Sequence, residues 1–249
     1  MRLSVILLAL LLGGCGDKVV SRTPWFSAAD EAGAPALRPG LWVAPITPDC
    51  HPDERQPPTA WPDCALAFVI RGDEMRALDR EETSVNGKTT TTRLSWSSTQ
   101  LILAAGDPRI SQTAGCNEQA QPKLTVFQDP KAPPPPPPPP PYAYCYGGVR
   151  PTASDTAGRI VAFTTWPVAC GPTVPEGSTD KTEDQPLFPG LTRVGIDCTA
   201  GTIEALRAAA AESEAVAIKT EAAMHAADPK TAAVNWFLVK AHWIRDSDR

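Results

Sequence analysis

Seven cysteines, three histidines and a few acidic pairs carry whatever chemistry this chain can do. A thiol is a nucleophile or a soft metal ligand, and two thiols make a disulfide. Cys15 stands apart, just after an apolar N-terminal run. The other six are Cys50, Cys64, Cys116, Cys145, Cys170 and Cys198, an even set that reads as three disulfides in an oxidising compartment. Six cysteines allow several connectivities. Sequential pairing is expected, Cys50–Cys64, Cys116–Cys145 and Cys170–Cys198, because each bridge would close a Pro-rich loop. A zinc site wants a closely spaced pair of ligands, but there is no C-x-x-C, and adjacent Cys50-His51 is poor geometry for a metal.

The histidines are His51, His225 and His242. A serine or cysteine nucleophile would need one of them as its base, yet no G-x-S-x-G turn is present. Neither an H-E-x-x-H helix, a D-x-D-x-D-G calcium loop nor a Gly-rich phosphate loop occurs. The acidic pairs Asp53-Glu54, Asp73-Glu74, Glu81-Glu82 and Glu183-Asp184 offer the two carboxylates that glycan hydrolysis requires. Acidic pairs in turns are ordinarily solvated charge. No catalytic residue, metal or cofactor is therefore assigned.

The element that presents Cys15 is legible. Arg2 and the terminal amine precede Leu3–Leu12, a ten-residue apolar run broken only by Ser4. As a helix it spans about 15 Å, half a hydrocarbon core, which is the length of a signal-peptide segment rather than a membrane span. Leu12-Gly13-Gly14-Cys15 then resembles the lipobox of bacterial lipoproteins, with Leu three places before the cysteine and small residues between. The resemblance covers residues 1–15 only. It implies a diacylglyceryl group on the Cys15 thiol and cleavage just before it. It further implies a lipid-anchored protein of the cell envelope, facing the periplasm. Removing Cys15 is also what makes the remaining cysteine count even. Two or three acyl chains, at about 0.8 kcal/mol per buried CH₂, hold such a protein durably. By the sorting rule of that class, Gly16 after the cysteine favours the outer over the inner membrane, while Asp17 pulls the other way.

Beyond the anchor, residues 16–38 show no period and read as a flexible tether, interrupted by Trp25-Phe26. From Pro39 onward short β-prone runs alternate with turn residues: 41–46, 64–71, 101–105, 122–128, 142–149, 159–166 and 192–196. Asn86-Gly87 between Thr-rich arms predicts a two-residue hairpin. One helix is expected at 203–228, Ala-rich, with Glu204 in its first turn and Pro229 ending it. Ile203, Ala210, Ala217 and Met224, with Leu206, form a thin stripe suited to packing on a sheet. The last run, 234–246, alternates like a closing strand, although a helix fits it too; Trp236 and Trp243 there read as core or rim packing.

Nine consecutive prolines, 133–141, lie between Cys116 and Cys145 and read as a surface loop. The 28 prolines argue against a helical bundle, and a net charge of −5 with no Lys/Arg run argues against a nucleic-acid partner. The expectation is thus a signal peptide at 1–14, a lipidated cysteine and tether at 15–38, and one disulfide-braced α+β domain at 39–249. That domain would be an antiparallel sheet of short strands with one long helix packed on it. Functionally, it reads as a non-catalytic binding or assembly factor with the membrane, and an envelope protein, as partners; the alternative is a periplasmic hydrolase using a carboxylate pair.

Overall fold

Apolar side chains at alternate positions give a strand one buried face, and here three strands bury both along almost their whole length. The computed structural model describes residues 18–85, 88–115, 142–172, 185–227 and 237–246. Its strands are β1 (Val20–Ser21), β2 (Gly40–Pro45), β3 (Ala65–Arg71), β4 (Glu74–Val85), β5 (Lys88–Ala104), β6 (Arg109–Ala114), β7 (Tyr144–Ser154), β8 (Ile160–Pro167), β9 (Leu191–Val194), β10 (Asp197–Ala200) and β11 (Val239–Arg245). The helix is α1 (Ile203–Ala227). Strands β2 to β8 each pair antiparallel with the next, and β11 enters between β8 and β2. The ring closes.

The protein is therefore mostly β: a closed, eight-stranded antiparallel barrel with one helix outside it. This corrects the expected α+β arrangement of a sheet with a helix across one face. The physical reason is β11, which takes the last free edge of β8 and the first of β2, so that neither is left unpaired. β1 occupies the stretch of β7 that β8 does not reach, and β9 and β10 form a separate hairpin.

The barrel interior holds Trp42, Ala44, Leu66, Phe68, Ile70, Met75, Ala77, Leu101, Leu103, Val149, Ile160, Phe163, Val239 and Ala241 in one cluster. Trp42 lies 6.0 Å from Phe68 and 5.3 Å from Phe163, ring to ring, filling the middle of the barrel. Outside, α1 buries Leu206, Ala209, Ala210 and Ala217 against β7, β8 and the 185–200 segment. The expected stripe is thus the buried one, with Met224 outside the described side chains. Thr202 caps the helix, its hydroxyl accepting the Ala205 N–H at 3.1 Å.

Residues 18–38 do not hang free as a tether. Val19, Val20 and Phe26 are buried. The Gln112 side chain clamps the backbone there, accepting from the Trp25 and Phe26 N–H groups and donating to the Phe26 carbonyl. The chain then crosses one end of the barrel. The Glu31 carboxylate accepts the Leu103 N–H at 2.7 Å, and Leu37 bridges Ile160. Arg38 lies 3.4 Å above the Trp243 ring. The result is a strap over the end where the short β3–β4, β5–β6 and β7–β8 turns lie. Cys15, Asn86-Gly87, the strand expected at 122–128, the prolines at 133–141, Glu183-Asp184, Pro229 and Trp236 fall outside the described residues.

Candidate functional site at the barrel mouth

Two of the expected disulfides are present: Cys50–Cys64, with Cα atoms 5.8 Å apart, and Cys170–Cys198, at 5.7 Å. The pairing expected for buried Cys145 falls on Cys116, outside the described residues. The Cys50–Cys64 loop lies on the outer face of β2, β3 and β4, where Trp61 is buried with Leu41, Val43 and Val69. Arg80 pins that loop. Its guanidinium donates to Asp63 Oδ1 at 3.0 Å and to the carbonyls of Trp61 and Pro58 at 3.0 and 3.3 Å.

The residues singled out for acid–base chemistry are scattered. His51 is exposed in the loop. His242 on β11 contacts Glu54 at 2.9 Å on the outside. His225 lies on α1, with its side chain outside the described set. Asp53 caps the Arg55 N–H, Asp73 accepts from Gln100, and Glu74 from Ser98, all at the surface. Among the described residues, no group of three or more His, Cys, Asp and Glu side chains stands together as a metal site. Nor is any described helix long and apolar enough to cross a membrane.

A different set converges inside the barrel. Met75 and Ala77 face inward and Leu78 outward, so alternation turns Asp79 inward near the end opposite the strap. Here the long connections leave the barrel, and inward-facing hydroxyls elsewhere on the wall stand among the apolar side chains. Ser97 and Thr99 share the inward face of β5 with Leu101, and Thr165 on β8 stands opposite inward-facing Val149. Ser111 on β6 does so opposite Gly147. The Asp79 carboxyl is held above the ordinary aspartate range, first by burial, with the Ser97 hydroxyl pulling the other way. Its Oδ1 is buried and has no hydrogen-bond partner.

Inward-facing hydroxyls elsewhere in the barrel have spent their protons. Thr99 donates to the Ala114 carbonyl at 2.8 Å, Thr165 to that of Gly148 at 2.9 Å, and Ser111 to that of Gly147 at 3.2 Å. What remains of each is a pair of lone pairs.

No family model, curated protein or solved structure matches the chain.

The sequence reading missed Asp79 because it scored acidic pairs, and this carboxylate stands alone. A signal was there: in Met75-Arg76-Ala77-Leu78-Asp79, the inward phase that carries Met and Ala next carries an acid.

Proposed function

We propose that the chain is an envelope lipoprotein, anchored by lipid on Cys15, whose barrel is a non-catalytic binding or assembly module. The address rests on Leu12-Gly13-Gly14-Cys15 and on a cysteine count that is even without Cys15. The two bridges in the structure favour an oxidising compartment. The observation that carries the binding role is the barrel interior. Below, it is filled by Trp42, Phe68 and Phe163; at the mouth it holds a single carboxylate among the described inward positions. Carboxylate-pair hydrolysis needs a second acid across the substrate. A partly buried carboxylate with one unpartnered oxygen suits capture.

The anchor is tested by the intact mass of protein extracted from membranes, with thiols alkylated before and after reduction. The expected species starts at Cys15, is heavier by two or three acyl chains, and exposes six thiols only on reduction. A chain retaining Met1 without lipid overturns the anchor. Thiols reactive before reduction overturn the exported, disulfide-braced state.

A further inference from the structure

We infer that Ile196, at the tip of the β9–β10 hairpin, rests in the phospholipid headgroup layer and fixes the orientation of the barrel on the membrane. The inference deepens the lipid-anchor reading and rests on it.

Between β9 and β10 the chain turns through Gly195 and Ile196, with Gly195 at φ +70°. Such turns are ordinarily built from Gly, Asn, Asp or Ser. Here a branched apolar side chain stands at the tip, 69% exposed. Among the described residues the other exposed large apolar side chain is Ile218, at 52%. A single exposed apolar residue is ordinary by itself. What distinguishes Ile196 is its place.

That place is set by the N-terminal strand. The Cys198 N–H donates to the Lys18 carbonyl at 3.1 Å, and Val19 bridges Cys198 in parallel. The Lys18 N–H reaches Asp197 Oδ1 at 3.4 Å, and the Cys170–Cys198 disulfide ties β10 to the segment after β8. Ile196 lies two residues before Cys198, about 7 Å along the chain. Cys15 precedes Lys18 by three residues, so their Cα atoms lie within about 11 Å whatever course the chain takes. The headgroup region is itself about 5–8 Å deep on each side of the hydrocarbon. With acyl chains on Cys15, the hairpin is therefore held against the bilayer by the covalent length of the chain.

The neighbours of the hairpin suit that layer. Val194 packs with Val20, Cys145 and Tyr142. Exposed Arg22 lies 4.7 Å over the Tyr142 ring. A tyrosine has an apolar body and a wet end, and Arg22 with Lys18 offers positive charge to lipid phosphates. A protein partner would want a broad face, whereas a lipid layer needs only a wedge.

The test uses the full chain with Ile196, or in a second variant Ala157, replaced by p-benzoylphenylalanine. Ala157 is exposed in the β7–β8 turn, at the far end of β8 from Ala169, the bridge partner of Lys18. Each lipidated protein is reconstituted into vesicles of phosphatidylethanolamine and phosphatidylglycerol, irradiated, and read by intact mass. Phospholipid adducts are expected at position 196, at least fivefold more than at 157. A further variant carries twelve Gly/Ser residues inserted between Gly16 and Asp17, and there the yield at 196 should fall severalfold. A lipidated chain with no adduct at 196, or with equal yields at 196 and 157, overturns the contact and leaves the anchor standing. An adduct at 196 to a second copy of the chain, or a yield undiminished by the insertion, overturns it as well. A mass without acyl chains overturns the anchor and the contact together.

Discussion

Gly148 and Trp166 face each other across β7 and β8, and the indole occupies the space where a side chain on residue 148 would begin. The ring is fully buried, and its N–H donates to the Ala210 carbonyl of α1 at 2.8 Å. This one side chain therefore fixes how the helix lies on the barrel. Gly148→Ala forces the indole out and should cost about 1–3 kcal/mol by overpacking. Trp166→Ala should cost about 3–5 kcal/mol by leaving a cavity. Urea unfolding with tryptophan fluorescence and far-UV dichroism measures the first, and dichroism alone the second. A Gly148→Ala protein as stable as the parent refutes the packing described.

Arg80 is the next place where a single residue holds a long segment. Its side chain is 7% exposed and satisfies two loop carbonyls. Arg80→Met keeps the stem but leaves those carbonyls unpaired, at a cost of about 2–3 kcal/mol. Hydrogen exchange should accelerate in residues 46–64 and not in α1. Uniform acceleration would mean that Arg80 is not a local clasp.

The two bridges should differ in worth. They span 14 and 28 residues, and doubling a loop adds about 0.6 kcal/mol of closure entropy. Removing either should cost about 2–4 kcal/mol, with Cys170→Ala/Cys198→Ala the more damaging. Denaturant midpoints of the two double variants decide the order.

Alkaline pH should unfold the protein in a defined window. Burial pushes the Tyr146 phenol up to about 12, against the hydrogen bond at 2.6 Å that it shares with Ser21. The folded value is raised, so this stabilisation is complete below pH 10, the ordinary tyrosine value, and is lost as pH rises towards 12. Over that span about 2–3 kcal/mol is at stake. Tyr146→Phe should flatten the pH dependence between 10 and 12; an unchanged slope assigns it to other groups.

Asp79 carries the opposite message about stability. Its folded value is raised, so the contribution is favourable only below the ordinary aspartate range and turns unfavourable as pH rises through the folded value. Asp79→Asn should raise the melting temperature at neutral pH, and the gain should vanish on acidification. A lower melting temperature at neutral pH would show that the carboxylate supports the fold.

Local features were legible because their causes are local. Short apolar runs between turn residues gave β2, β3 and β8 nearly to the residue and only the first half of β7, and Ala content with Glu204 gave α1. The hairpin signal at Asn86-Gly87 agrees with pairing that runs out to Val85 and Lys88. Closure was not legible, since whether β8 and β2 meet through β11 depends on stagger and twist summed over all eight strands. The strap was hidden for a related reason. Residues 18–38 have no period of their own, and Gln112, far along the chain, is what orders them. β6 was overlooked because Arg109, Ser111 and Thr113 face inward where apolar residues were sought.

The position of β11 has a temporal consequence. It is the final stave of the barrel and also the last strand to be synthesised. Until residues 239–245 emerge, the growing chain carries two raw flanks, β2 and β8, each offering a row of unsatisfied amide and carbonyl groups. Completion cannot proceed strand by strand behind the moving chain; it waits for β11 and then seals both flanks at once. A nascent chain that stalls before residue 239 is therefore not a smaller barrel but an adhesive one.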